Sequence, residues 1–234
     1  MFLSLNGNWK CREAGTEQWL DAAVPGCNYL DLMQNGILPD PFLGTNEKDA
    51  YWVSEKDWEY TREFELSEQA RKADKVLLVC EQLDTLCDIS LNGKHIGSAQ
   101  NTHLLYEFDS KPYLKVGKNS IEIRFFSPVS YVKREQKKHR CPVNNNGLTG
   151  IPLIRKPQCH FGWDWGPVLT PSGISGNIGL VTYHKARISD MKVLQTHHDN
   201  KVTLDIEADI EIFNKNDIKF ALMLECPNGE KKRA

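Results

Sequence analysis

Short runs of β-forming residues, separated by turns rich in glycine, asparagine and proline, determine the fold class of this chain. Between two of these runs stands Asn92-Gly93, a dipeptide that supplies the two positive φ angles of a tight hairpin. Helical patterns are few and short, at 28–34 and 129–139. We therefore predict an all-β protein. The β-forming runs cover residues 60–66, 75–81, 87–91, 120–126, 178–183 and 201–213.

A second turn is predicted at 117–119, just before a run in which Ile121, Ile123 and Phe125 alternate with polar residues. Alternation with a period of two is typical of a strand that buries one face and exposes the other. Short strands with tight turns and little helix favour a β-sandwich. A jelly roll of about eight strands is the architecture that we expect.

The segment 128–171 lacks strand periodicity and is rich in asparagine, glycine, proline and basic residues. A long irregular segment inside a compact domain is uncommon unless it has a function. Strand patterning resumes at 178–183, where the first domain is expected to end. We therefore predict a jelly-roll domain over 1–183, with its functional residues in the irregular segment.

Three further strands are predicted in the tail of the chain, at 187–194, 201–213 and 218–226. An immunoglobulin-like sandwich needs about 100 residues and seven strands, and fewer residues than that follow Tyr183. The tail resembles half of such a sandwich, which would expose unpaired strand edges. We therefore predict a truncated immunoglobulin-like domain over 184–234.

Composition and charge exclude several classes of function. A formal net charge of -2 gives no basic field of the kind that nucleic-acid binding requires. The short basic run at 133–140 is interrupted by Glu135 and is interpreted as a solvated surface. No apolar span long enough for a membrane is present. We expect an uncharged partner, no nucleic acid and no membrane.

Cysteine and histidine patterns give no indication of a bound metal. The 7 cysteines contain no Cys-x-x-Cys pair, and their odd number leaves at least one unpaired within the chain. The run His197-His198-Asp199 has no accompanying ligand cluster and is interpreted as ordinary surface. No cofactor is predicted. The N-terminus shows no secretory signal, and the compartment stays open.

The strongest candidate site is Trp163-Asp164-Trp165, flanked by Gly162 and Gly166 in the irregular segment. Sugars present hydroxyl groups at their edges and C–H groups on their faces, so a sugar site needs flat aromatic surface and carboxylate or amide acceptors. Residue types alone favour another interpretation, in which both tryptophans fill a core and Asp164 caps a backbone turn. The position in a long loop favours sugar binding.

The segment 161–167 resembles the Phe-Gly-Trp-Asp-Trp-Gly-Pro motif of the β-mannosidase branch of glycoside hydrolase family 2. The resemblance extends from Leu5 to about Tyr183 and is carried by further motifs in the order that such enzymes show. These motifs are Leu5-Asn6-Gly7-Asn8-Trp9, Val24-Pro25-Gly26, Asp31-Leu32, Gly36 to Asn46, Asp57-Trp58-Glu59-Tyr60, Leu83-Asp84-Thr85, Leu91-Asn92-Gly93 and Phe126-Ser127-Pro128.

The resemblance implies a galactose-binding-like jelly roll, followed by an immunoglobulin-like domain and a (β/α)8 barrel. It implies a retaining exo-glycosidase, whose two catalytic glutamates would lie in the barrel, beyond Ala234. Asp164 would then reach the -1 subsite and bind hydroxyls of a terminal mannose, while Trp163 and Trp165 would shape its wall. The expected partners are β-mannosides or mannose-containing oligosaccharides, together with the catalytic barrel.

The 234-residue chain alone is then expected to be inactive. Two other interpretations remain. A stand-alone, non-catalytic carbohydrate-binding module would need a complete concave site and affinity for free sugar. A purely architectural β domain would not depend on Asp164 for sugar binding or catalysis.

Overall fold

The computed structural model describes residues 1–139, 141, 150–199, 201–214, 218–227 and 229–233. Arg140, the last residue of the basic run, lies outside the described residues. The chain forms two compact units. The first unit comprises Met1–Lys72 and Val76–Thr182, and the second comprises Ala73–Lys75 and Tyr183–Ala234.

Strands make up most of the regular structure. The first twelve are β1 (Phe2–Ser4), β2 (Gly7–Glu13), β3 (Leu20–Val24), β4 (Trp58–Leu66), β5 (Lys75–Cys80), β6 (Leu83–Asp84), β7 (Cys87–Leu91), β8 (Lys94–Ala99), β9 (Tyr106–Asp109), β10 (Gly117–Phe125), β11 (Gly173–Ile174) and β12 (Ile178–Tyr183). The α-helices are α1 (Asn28–Gln34), α2 (Asn46–Asp49), α3 (Glu68–Arg71) and α4 (Pro128–Lys138). Short 3-10 helices cover Tyr51–Glu55, Lys111–Tyr113, Ile151–Leu153 and Gln158–Phe161.

Two sheets build the predicted β-sandwich. One has the order β1-β12-β5-β9 and the other the order β3-β2-β4-β10-β7-β8, with antiparallel pairing throughout the larger sheet. Buried and solvent-facing side chains alternate along strand β10 as expected. Ile121, Ile123 and Phe125 are fully buried between exposed or half-buried neighbours. The tyrosine ring of Tyr60 packs edge-on against Phe125, at 5.7 Å between centroids, in the same core. The fold class is therefore confirmed.

The hairpin predicted at Asn92-Gly93 is confirmed. Strands β7 and β8 pair up to Leu91 and Lys94, and the two turn residues have φ angles of 51° and 74°. The turn predicted at 117–119 is wrong in its position, because β10 already begins at Gly117. The physical reason is Asn119, whose side chain bonds backward to the backbone of Lys115 and so closes the turn from within the strand.

Both predicted helices are present. Helix α1 has the predicted bounds, and α4 begins one residue earlier than predicted, because Pro128 occupies the first turn and Ser127 caps Ser130 at 2.9 Å. The basic residues of α4 form exposed ion pairs, such as Lys133 with Glu55 at 2.8 Å. None of the helices that the structure describes is long and apolar enough to cross a membrane.

The second unit contains a long hairpin of β13 (Ala186–His198) and β14 (Lys201–Ile212), and a short one of β15 (Met223–Glu225) and β16 (Lys231–Arg233). The strand predicted at 218–226 is limited to β15. His197 and His198 are exposed at the end of β13.

A bulge at Ser189 shifts the register of the long hairpin by one residue. The shift places Ile188 and Val193 on the same face, opposite Ile210 and Ile206 respectively. On this face Ile188 is 56% exposed, Val193 and Ile210 are also exposed, and Ile206 is half-buried. The hairpin therefore presents an apolar row that no described residue of this unit buries.

The Asp31 carboxylate is buried in the first unit. It accepts hydrogen bonds from the Tyr60 hydroxyl at 2.6 Å and from the Ala23 amide at 3.0 Å, joining α1 to β4 and β3. Burial raises the pKa of Asp31, and the bond from Tyr60 opposes that rise. A buried acceptor that loses its donor costs the free energy of its desolvation.

We predict that Tyr60→Phe lowers the free energy of unfolding by about 1–3 kcal/mol, because it leaves one oxygen of Asp31 without a donor. Urea denaturation followed by far-ultraviolet circular dichroism measures the change. Tyr51→Phe is the matched control, since its hydroxyl bonds an exposed carboxylate, and should change stability by under about 0.5 kcal/mol. Equal effects of the two variants would contradict the role assigned to Asp31.

Candidate functional site

Asp164 occupies a tight turn in the segment between Lys156 and Pro171. The amide of Trp163 donates to the carbonyl of Gly166, and the amide of Gly166 donates back to Trp163, each at 3.2 Å. This mutual pair fixes the two central residues of the turn, Asp164 and Trp165. The turn therefore presents its side chains from a backbone that is closed by its own hydrogen bonds.

The side chains of this turn point into solvent. Trp163 is 45% exposed and Trp165 is 76% exposed, with their ring centroids 6.4 Å apart. The interpretation of the two tryptophans as core residues is therefore wrong. Among the described residues, none forms a hydrogen bond or ion pair with the Asp164 carboxylate, so Asp164 does not cap a backbone turn there either.

Phe161 anchors the turn in the core, immediately before the chain emerges. Its ring is fully buried and belongs to an apolar cluster with Leu86, Val132, Ile151 and Ile154. Gly162 then reverses the chain with a φ angle of 97°. A Cβ atom at this position would lie 2.7 Å from a methyl carbon of Val168, so only glycine fits.

A buried ion pair lies at the base of the same segment. The Lys156 ammonium is 2.5 Å from an oxygen of Asp84, and their side chains are 0% and 6% exposed. Lys156 also donates to the Pro171 carbonyl at 2.7 Å. The second oxygen of Asp84 accepts a hydrogen bond from the Thr85 hydroxyl. Asp84 belongs to β6, which pairs with β11 through Gly173.

The pKa values of this cluster follow from burial. Burial lowers the pKa of Lys156, and attraction to the Asp84 carboxylate opposes that effect. Burial and the charge of Lys156 also lower the pKa of His160 below its ordinary value of 6.5, so its ring is neutral at pH 7. The Nδ1 atom of His160 lies 3.7 Å from Asp84 and has no hydrogen-bond partner among the described residues.

This arrangement suits the recognition of a polyhydroxylated ligand. An ionised Asp164 has two acceptor oxygens and can bind neighbouring hydroxyl groups through charge-assisted hydrogen bonds. The exposed faces of Trp163 and Trp165 can pack against C–H groups of a sugar ring. The three residues predicted as the site are thus brought together at one turn.

Four clefts of the first unit that described residues line do not include this turn. A cleft of about 430 Å³ lies beside Phe126 and Tyr131, whose rings are covered by Arg124 and Arg134. In the described part of the chain, no three or more His, Cys, Asp or Glu side chains are grouped to hold a metal ion.

The sequence does not predict the contact between Asp84 and Lys156, and Asp84 stands out there only as part of the Leu83-Asp84-Thr85 motif. The two residues are distant in the chain, and neither sits in a periodic pattern that predicts burial. One signal was available, because Lys156 flanks the 161–167 motif in the irregular segment.

Residues 9–176 match the family model described as glycosyl hydrolase 2 galactose-binding domain-like. The matched region contains the turn with Asp164 and the pair of Lys156 with Asp84. It also contains nearly all of the six-stranded sheet, and strands β5 and β9 of the four-stranded sheet.

The chain is similar to curated β-mannosidases over most of its length. The chain is 36% identical over 190 residues to the β-mannosidase of Capra hircus, which covers 78% of this chain and 22% of the goat protein. It is 29% identical over 241 residues to that of Rattus norvegicus, covering 99% of this chain and 27% of the rat protein. The chain thus spans about a quarter of the length of these relatives.

A solved structure with the same fold is the β-D-mannosidase from Dictyoglomus thermophilum. It superposes with a TM-score of 0.86 at 37% sequence identity, over 91% of this chain and 26% of the other. This similarity supports the β-sandwich fold.

We predict that Trp165→Ala changes the free energy of unfolding by under about 0.5 kcal/mol, because the side chain is already largely in water. Urea denaturation measures the change, with Trp58→Ala as the matched control. Trp58 is buried and bonds the Val53 carbonyl, so its loss should cost about 3–5 kcal/mol. A Trp165→Ala cost near that of the control would mean that Trp165 fills a core.

Proposed function

Because this chain belongs to the glycosyl hydrolase 2 galactose-binding domain-like family, we propose that it is the sugar-binding N-terminal region of a β-mannosidase. In this proposal it supplies one wall of the pocket for a terminal β-mannose. The substrates are β-mannosides or mannose-containing oligosaccharides.

The observation that carries the proposal is the Asp164 carboxylate, exposed between two exposed tryptophans on a turn with a closed backbone. A carboxylate without a protein partner has both oxygens available for a ligand. Burial of that carboxylate against a catalytic domain would be costly unless hydroxyl groups of the substrate replaced its water. The site therefore suits a polar, uncharged ligand better than an apolar one.

Asp164 acts in this proposal by binding, without proton transfer or nucleophilic attack. Hydrogen bonds to sugar hydroxyls that strengthen in the transition state lower the barrier directly. The catalytic pair of glutamates lies in a (β/α)8 barrel that follows this region, and the reaction retains the anomeric configuration. In a retaining pair, the two carboxyl groups stand about 5–5.5 Å apart.

We further propose that residues 1–183 are a galactose-binding-like domain and residues 184–234 part of an immunoglobulin-like sandwich. The exposed apolar row of the β13–β14 hairpin supports the second assignment, since Ile188 and Ile210 pair on a face that another sheet would cover. In the complete protein, that second sheet would come from residues outside this sequence.

Asp164→Ala in a complete polypeptide that joins this chain to its catalytic domain is the test of the proposed function. The loss of two charge-assisted hydrogen bonds should cost about 3–6 kcal/mol. That corresponds to a decrease of roughly two to four orders of magnitude in kcat/KM. Hydrolysis of an aryl β-mannoside measures the change, and thermal denaturation verifies folding.

Asp205→Ala is the matched control, because Asp205 is an exposed aspartate of the second unit with no place in the site. It should leave kcat/KM within about twofold. The isolated 234-residue chain should hydrolyse no aryl β-mannoside, since it lacks the proposed catalytic pair. An unchanged rate for Asp164→Ala, or micromolar binding of manno-oligosaccharides by the isolated chain, would favour the scaffold or the stand-alone module instead.

A further inference from the structure

Three cross-connections close the segment that carries Asp164, each nested within the next. The innermost is the mutual backbone pair of Trp163 and Gly166. Outside it, the Thr170 hydroxyl donates to the His160 carbonyl at 2.9 Å. The outermost is the donation from the Lys156 ammonium to the Pro171 carbonyl at 2.7 Å. The segment is therefore tied together at its tip, its middle and its base.

Only the outermost connection also joins the segment to the sandwich through a charge. The Lys156 ammonium contacts the Asp84 carboxylate at 2.5 Å, and Asp84 belongs to the strand pair of β6 and β11. Both side chains are removed from water. The ammonium thus holds three elements at one point: β6, the start of the segment and its end.

Stability alone gives a weak reason for a buried pair at this point. The cost of desolvating two charges offsets most of their attraction, and well-packed apolar residues are often as stable in such positions. An apolar pair, however, forms no directional hydrogen bonds. An ammonium has donors that fix the distances to a carboxylate and a carbonyl at the same time, whereas apolar contacts tolerate sliding.

We propose that Lys156, held by Asp84, is a positioning residue that fixes the location of the Asp164 carboxylate for the sugar. This inference rests on the function proposed above. Lys156 does not touch the sugar, because its side chain is fully buried. It acts by closing the base of the segment, so that the exposed turn emerges from the sandwich in one orientation. Asp84 supplies the charge that keeps the ammonium in place.

The test is a double-mutant cycle in the complete polypeptide, with dinitrophenyl β-mannoside as substrate. Lys156→Met removes the donor and keeps the length of the side chain. In the parent background we expect kcat/KM to fall about 10- to 100-fold, which is the effect of misplacing a binding group by about 1 Å. In an Asp164→Ala background, where no carboxylate is left to position, the same substitution should change kcat/KM by less than about threefold.

Lys118→Met is the matched control, since Lys118 forms an exposed ion pair with Glu63 in the same unit. It should leave kcat/KM within about twofold in both backgrounds. If Lys156→Met does not fold, Asp84→Asn enters the same cycle, because the amide keeps the shape and loses the charge. For it we expect a decrease of about 3- to 30-fold in the parent background and little change without Asp164.

Equal losses in the two backgrounds would overturn the inference, because they would mean that Lys156 acts independently of Asp164. So would an unchanged rate for a folded Lys156→Met variant. An Asp164→Ala variant as active as the parent would instead contradict the proposed function itself. The cycle therefore separates the failure of one proposal from the failure of the other.

Discussion

The ammonium of Lys156 lies 2.5 Å from the Asp84 carboxylate and 2.7 Å from the Pro171 carbonyl, and the exposed turn depends on this contact. The segment between Lys156 and Pro171 leaves the sandwich, exposes Trp163, Asp164 and Trp165 at its turn, and returns. Without ties at its base, such a segment would sample many orientations at little cost. In our proposal, the ion pair and the buried ring of Phe161 hold it in one orientation.

Side chains of the core and side chains of the exposed turn contribute differently to the free energy of folding. Residues such as Trp58 and Phe125 are buried in the first unit and supply stability, at roughly 1.5–3 kcal/mol for each large apolar side chain. Trp163 and Trp165 give up that contribution by remaining in solvent. Under the proposed function, exposed aromatic surface beside an unpaired carboxylate is a cost that the fold bears for binding.

Much of the fold could be predicted from local patterns, because turns and alternating strands are encoded by neighbouring residues. Asn92-Gly93 specifies its hairpin through backbone conformation, and Ile121 and Ile123 mark a buried face through a period of two. The start of β10 was placed wrongly, because Asn119 closes the turn through its side chain from within the strand. Such a local choice between backbone and side-chain bonding leaves no periodic trace.

The site was predictable only in part. Trp163-Asp164-Trp165 is conspicuous as a sequence, although residue types alone favoured a buried role for the tryptophans, and only the structure shows their exposure. The pairing of Asp84 with Lys156 was not predictable, because it depends on how β6 and the irregular segment meet in space. Contacts between residues far apart in the chain follow from the whole topology rather than from any local signal.

The most direct measurement is a crystal structure of the complete polypeptide with a mannose-configured transition-state analogue bound. The account predicts both oxygens of Asp164 within about 2.5–3.0 Å of sugar hydroxyls, and the Lys156 ammonium still on Asp84 and Pro171. An analogue bound in the catalytic domain with the Asp164 carboxylate more than about 5 Å from every sugar oxygen would contradict it.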